Sequence, residues 1–270
     1  MKRFRRHSAK ANFEHFRVLT ARYFKQIFTN VGTFLPLLLE APVLLVILYL
    51  VADGDAFTAR NVGQANIATF VLVVMATLMA ILNSYREICK EREVLAREIY
   101  GGLDVTAYVL SKIVVLSAIG LVQCALLFGG SLIFIDYAFP RPATGYLLAY
   151  LAMALANIAV TALGLFISAL LKKSESAILP VLLVIIMQVV FSDCIISLEG
   201  GAGNLKYITP AAWGISVFGN VCGINGWNER FYKDMYALSP AIGLIVLAVF
   251  AVVFVFLAIV RLKREFRQKD

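Results

Sequence analysis

Phe34-Leu-Pro-Leu-Leu-Leu-Glu-Ala-Pro-Val-Leu-Leu-Val-Ile-Leu-Tyr-Leu-Val-Ala52 decides what kind of molecule this is. Its nineteen residues carry one charge, Glu40. At ~1.5 Å of rise per residue, such a helix reaches about the ~30 Å of a bilayer's hydrocarbon core. A helix apolar on every side belongs in a membrane or in the core of a large protein. Five further stretches read the same way, at 65–83, 109–135, 146–171, 177–198 and 241–260. The 270-residue composition agrees: 61% of residues are of the AVILMFWYC set, 16% are charged, and mean hydropathy is +0.83. A soluble domain is nearer half apolar and a quarter charged. Four Cys are too sparse for a disulfide scaffold, and the apolar content is too high for a disordered chain. The expected fold class is an all-α integral membrane protein with six transmembrane helices.

The 25 Lys and Arg are unevenly shared between the two sides. Twenty fall on one side: the N-terminal arm from Lys2 to Lys25, the loop after the second span together with Lys112, the pair Lys172 and Lys173, and the end from Arg261 to Lys269. Arg60, Arg141, Lys206, Arg230 and Lys233 fall on the other. The positive-inside rule then puts both termini in the cytoplasm of a multi-pass plasma (inner) membrane protein with an even number of spans. The first apolar run begins only at Phe34 and is long enough to span, so a cleavable signal peptide is not expected. Basic edges beside apolar spans attract anionic lipid headgroups rather than nucleic acid. The expected organisation is a cytoplasmic arm and amphipathic interfacial helix over 1–33, a membrane domain over 34–260 and a basic cytoplasmic tail over 261–270.

Three segments outside the spans are unusual. Phe13, Phe16, Leu19, Tyr23, Phe24, Ile27, Phe28 and Val31 recur at helical spacing, with Arg17, Arg22 and Lys25 between them. This predicts an amphipathic helix, lying in the membrane interface or packed on a cytoplasmic partner. Arg86-Glu-Ile-Cys-Lys-Glu-Arg-Glu-Val-Leu-Ala-Arg-Glu-Ile-Tyr100 is helix-prone and stops at Gly101-Gly102. Ile88, Leu95 and Ile99 share one face, and Glu93 and Arg97 stand as a favourable i,i+4 pair. Such a helix either caps the bundle with a solvated face or docks on a cytoplasmic protein; charge pattern leaves both open. The outer segment 199–239 holds seven Gly, Pro210 and the aromatics Tyr207, Trp213, Phe218, Trp227, Phe231, Tyr232 and Tyr236. Short re-entrant or surface helices are expected there, before the last span.

Catalytic chemistry finds little support. His7 and His15 both lie in the N-terminal arm. Cys89, Cys124, Cys194 and Cys222 show no C-x-x-C spacing, so no metal site is expected. Cys194 and Cys222 can both lie on the outer side, where a disulfide and two free thiols fit equally. Within the spans, Glu40 stands between Pro36 and Pro42 and either faces a wet cavity or is held as a protonated or hydrogen-bonded acid. Lys112 is expected to snorkel to the interface and Asp193 to be solvated. Gln123, Gln188, Asn157 and Thr161 are expected to hydrogen-bond across helices. Three scattered charges make a poor proton pathway, which disfavours the alternative of an ion-gradient-driven secondary transporter or channel. No acid–base or nucleophile set marks a membrane enzyme.

The order of these segments resembles the membrane domain of type-2 ABC permeases, in particular the G-subfamily half-transporters that export pigments, sterols and drugs. The carrying residues are Glu87, the basic–acidic run Lys90-Glu91-Arg92-Glu93, Tyr100, and Tyr108-x-x-x-Lys112 entering the third span. Phe13 to Lys25 resembles that family's connecting helix, and Tyr207-Ile-Thr-Pro-Ala-Ala-Trp213 its aromatic–Pro–Trp element. The resemblance implies that Glu87, Lys90, Glu91, Arg92 and Glu93 couple the chain to an ATPase subunit. It also implies a substrate cavity at a dimer axis, lined by Phe70, Val74 and Leu78 with Val184, Met187, Gln188 and Phe191. No G-x-x-x-x-G-K-[ST] loop occurs, so no cofactor is expected on this chain, and ATP with Mg belongs to a partner. The implied partners are two ABC ATP-binding subunits, a second permease protomer, identical or not, and membrane lipid. The implied function is ATP-driven export of a hydrophobic or amphipathic substrate.

Overall fold

In this computed structural model the described residues are 13–194 and 200–267. They form α1 (Phe13–Thr29), α2 (Val31–Val51), α3 (Val62–Ser84), α4 (Arg92–Tyr100), α5 (Val105–Ser131), α6 (Pro142–Leu170), α7 (Ile178–Val190), α8 (Pro210–Cys222), α9 (Asp234–Ala237) and α10 (Pro240–Arg267), with short 3-10 turns between. The helices start where side chains can serve the first free N–H groups. Asn30 Oδ1 accepts from Gly32 N, Asn61 Oδ1 from Gln64 N, and Asp104 Oδ1 from Thr106 N. Pro142 and Pro210 open their helices at the position where a missing N–H does no harm. α8 stops at Gly223, which takes the left-handed φ of 70° that a helix C-terminus favours in glycine.

Among the described residues five helices, α2, α3, α5, α6 and α10, are long and apolar enough to cross a membrane. The stretch expected to span at 177–198 is shorter. α7 has 13 residues, ~20 Å at the helical rise, and 195–198 lie outside the described residues. α2 runs as one helix through Pro36 and Pro42. The outer segment does contain short helices, and α8 is buried along nearly its whole length against α6, α10 and α3.

α6 is the central helix and touches α3, α5, α8 and α10. Small residues make that possible: Ala149, Ala152, Ala156 and Ala159 are all fully buried. At Gly164 a Cβ would stand 1.9 Å from Ser84 Oγ on α3, so the two helices meet there backbone to side chain. Two large apolar clusters divide the bundle lengthwise. One gathers Phe57, Phe128, Tyr137, Phe139 and Phe218, and its end is called the aromatic end below. The other joins Leu19, Tyr23 and Ile27 of α1 to Leu95, Ile99, Ile113 and Leu262, at what is called the basic end. α1 packs on α5 through that buried stripe, while Phe13, Phe24 and Phe28 face outward. α2 and α10 stand at the periphery with most of their apolar surface exposed.

Candidate functional site

The charged segment after α3 is folded back into the protein by hydrogen bonds that its sequence does not advertise. Ser168 Oγ, near the end of α6, accepts from the backbone N–H groups of both Ile88 (2.9 Å) and Cys89 (3.0 Å). The Arg92 guanidinium donates to Leu171 O at 2.5 Å, completing the free carbonyls at the C-terminus of α6, and pairs with Glu265 of α10. The segment is therefore tied to two helices before any of its acids is considered.

Those acids converge on one cation. Lys112 Nζ lies 2.8 Å from Glu91 Oε2 and 3.3 Å from Glu87 Oε2, with the lysine only 2% exposed. It also sits 3.8 Å over the ring of Tyr23. Tyr23 Oη donates to Glu87 Oε2 at 2.5 Å, Tyr108 Oη to Glu91 Oε2 at 3.1 Å, and Gln26 Nε2 to Glu91 Oε1 at 3.3 Å. Lys90 pairs with the second oxygen of Glu87. Arg22 closes the rim as a two-bond fork on Glu98, at 2.6 and 3.1 Å. Burial, followed by the charge of Glu87, pushes the Tyr23 phenol well above its ordinary pKa, so it stays a donor. The hydrogen bond to Glu98 holds the Arg22 guanidinium above its own. Thus α1, the charged segment and α5 share one buried ionic cluster, and buried charges persist only when partnered in this way.

This distributes the expected coupling residues over two faces. Glu87, Glu91 and Arg92 turn inward. Lys90 and Glu93 face outward, in a row with Arg86, Val94, Arg97 and Tyr100. The expected Glu93–Arg97 ion pair is not formed among the described residues; both side chains project outward. Lys112 does not snorkel: two carboxylates and a ring face offer it more than the headgroup region does. Sequence reasoning missed Tyr23, Ser168 and Glu265 as members of the site. Tyr23 carried a signal, since it shares the α1 stripe with Leu19 and Ile27. Ser168 and Glu265 carried none.

The other expected site residues are scattered. Phe70 and Val74 are buried in the aromatic-end core, with Leu78 packed against it. Val184 lies on α7 beside a smaller cluster, Met187 is 40% exposed and Phe191 half-buried. Gln188 Oε1 accepts from Ala211 N at 2.9 Å and so caps α8. None of the seven lines the cavity of about 650 Å³ that opens elsewhere, between α2 and the end of α3. Gln123 bridges α5 to α2, donating to Leu37 O at 2.9 Å and Glu40 Oε2 at 3.0 Å, while Asn83 Nδ2 donates to Gln123 Oε1 at 3.1 Å. Glu40 is thus a hydrogen-bonded acid and also lines that cavity. Asn157 Nδ2 crosses to Ala76 O at 2.8 Å, and Thr161 is buried one turn on. Asp193 pairs with Lys206 at 3.6 Å instead of standing in water. Cys194 and Cys222 are free thiols; Cys194 Sγ stands 3.8 Å from Tyr236 Oη and 3.6 Å from Lys233 Nζ.

The family described as ABC-2 type transporter matches residues 14–222, a stretch that takes in α1 to α8 and with them the whole ionic cluster except Glu265. This chain belongs to the ABC-2 type transporter family. A relative, the ABC transporter ATP-binding/permease protein of Mycobacterium tuberculosis, is 29% identical over 218 residues, 76% of this chain and 25% of that protein. The chain spans about a quarter of that relative's length. As an ABC-2 membrane domain it is a multi-pass transport component, a permease.

Proposed function

We propose that this ABC-2 domain is the transmembrane pathway of an ATP-driven exporter of hydrophobic or amphipathic substrates. In this reading the stretch at 177–198 completes a sixth span, both termini lie in the cytoplasm, and the plasma membrane is its site. It works as a dimer with a second protomer and two ATP-binding subunits, which carry ATP and Mg. The mycobacterial relative's name joins ATP binding and permease in one protein. Here the ATP-binding part comes from another subunit or another stretch of polypeptide.

What supports this reading most is the two-faced charged segment. Outward, Lys90, Glu93 and Arg97 offer both signs of charge beside the exposed Val94 and Tyr100. Inward, Glu87 and Glu91 grip Lys112 of α5, and Arg92 grips Glu265 of α10. A partner that moved the outer face would move α5 and α10 with it. The test is co-purification of the ATP-binding subunit and transport-coupled hydrolysis in vesicles. Reversing the outer face (Glu93→Lys, Arg97→Glu), with Lys90 left in place because it also pairs with Glu87, should lower subunit retention at least about tenfold, since an interfacial charge left without its partner costs ~2–5 kcal/mol. Arg60→Glu, at the aromatic end, should change neither. Full docking and coupling in the double variant would overturn the assignment.

A further inference from the structure

The cavity between α2 and α3 is built differently from a gap in apolar packing. Its α2 wall runs from Gly32 to Leu44, ~18 Å at the helical rise and so about the depth of one leaflet. That wall is lined by Leu37, Leu39 and Val43 and faced by Leu82 of α3. α2 is little covered by the rest of the chain, and the cavity beside it is open rather than enclosed. The volume, about 650 Å³, falls within the ~300–1,000 Å³ range of ligand pockets.

The mouth is where α3's apolar run gives way to charge, and its charges are unequally engaged. Glu87 is neutralised by Lys112 and Lys90 and takes the Tyr23 hydroxyl proton as a hydrogen bond. Glu40, deeper in, is held by the Gln123 amide. Arg86 is exposed, rests 4.8 Å over the Tyr85 ring and has no ion pair among the described residues. An apolar shaft one leaflet deep beneath a free guanidinium complements a molecule with an acyl chain and an anionic head. We propose that this cavity binds an anionic phospholipid, its phosphate against Arg86 and one acyl chain along α2 between Leu37 and Leu44. The site is separate from the wall expected of Phe70, Val74 and Leu78, and it concerns binding alone, independent of the transport reading.

The test uses the purified chain in detergent micelles. Native mass spectrometry would compare phosphatidylglycerol with phosphatidylcholine of the same acyl chains. A phosphatidylglycerol with a photoactivatable chain would map the contact. The charged lipid should be retained at about tenfold lower concentration, with cross-links on residues 37–44 and on Leu82. Arg86→Glu should abolish the preference while helicity and thermal midpoint stay those of wild type. Leu82→Trp should displace the chain's cross-links by filling the shaft. Equal retention of the two lipids, cross-links spread over the exposed face of α10, or complete competition by glycerol phosphate alone would each overturn the proposal.

Discussion

The two ends of the bundle are held by opposite means. At the basic end, Lys112, Glu87, Glu91, Arg92 and Glu265 are ionised groups placed inside the protein, each dependent on named partners. The aromatic end is built from rings: Phe57 on Tyr137 at 4.8 Å, Tyr137 stacked on Phe139 at 5.6 Å, and Phe128 edge-on to Phe218 at 6.0 Å. Its hydroxyls find neutral partners, as Ser131 and Tyr137 do at 2.9 Å. Apolar packing is non-directional and degrades by degrees, whereas a buried ion cluster fails when one member goes. α5 runs through both.

The largest effect should follow Lys112→Met. It leaves Glu91 without its cation and takes one of two from Glu87, in a site that water barely reaches. Breaking a buried pair from one side costs ~3–5 kcal/mol, while removing both partners is often nearly neutral. We expect a large fall in the thermal midpoint in detergent, and its substantial recovery in Lys112→Met with Glu91→Gln. No recovery in the double variant would mean that the lysine matters as a packing stem and not as a charge.

Phe218→Ala should come next, at about 3 kcal/mol, because Phe218 is fully buried and touches three other rings. The contrast lies in rescue. Phe218→Leu should restore most of the loss by refilling volume, where an apolar side chain of similar length at position 112 restores nothing, because what is lost there is charge. If Phe218→Leu is as unstable as Phe218→Ala, the aromatic end depends on ring geometry and the contrast between the ends weakens.

How far the sequence foretells this division differs between the ends. The spans were legible because a membrane enforces length and apolarity on contiguous residues. α2, α3, α5 and α6 lie within a few residues of the stretches expected, while α10 starts where expected but runs on past 260 to Arg267, into the stretch expected as a basic tail. α7 departs because contiguous apolarity cannot say where a helix will stop. The charged segment is α-helical only over Arg92–Tyr100, with turns and a 3-10 turn before it. Ile88, Leu95 and Ile99 do share the buried face expected of them, but which acids turn inward with them was not legible. Its inward acids are chosen by Tyr23, 64 residues before Glu87, and by Lys112, 25 after it. Arg92 meets Glu265 across 173 residues. No local period records such pairings. Lys112 shows the error most plainly, since a lone lysine in an apolar run reads as snorkelling until the carboxylates that hold it are known.

The smallest difference sharpens the comparison most, because it sets like against like. Tyr23 at the basic end and Tyr236 near the aromatic end are both buried phenols, each donating at 2.5 Å. Tyr23 donates to a carboxylate, Glu87; Tyr236 donates to a neutral amide, Asn66. A hydrogen bond to a charged group is worth ~1.5–3 kcal/mol and a neutral one ~0.5–1.5 kcal/mol. Tyr23→Phe should therefore cost about 2 kcal/mol and Tyr236→Phe about 1 kcal/mol, read as thermal midpoints at neutral pH. Burial raises both phenols well above the ordinary value, with Glu87 adding at Tyr23 and Cys194 at Tyr236. A group raised in the folded state gives its full stabilisation below the unfolded pKa, ~10 for tyrosine, and loses it as pH climbs toward the folded value. Wild type should thus lose stability above about pH 10 more steeply than either variant. The gap between wild type and Tyr23→Phe should narrow over that range. Equal costs for the two substitutions at neutral pH would show that the charge on Glu87 adds nothing at Tyr23, and the contrast between the ends would then rest on the ion pairs of Lys112 and Arg92 alone.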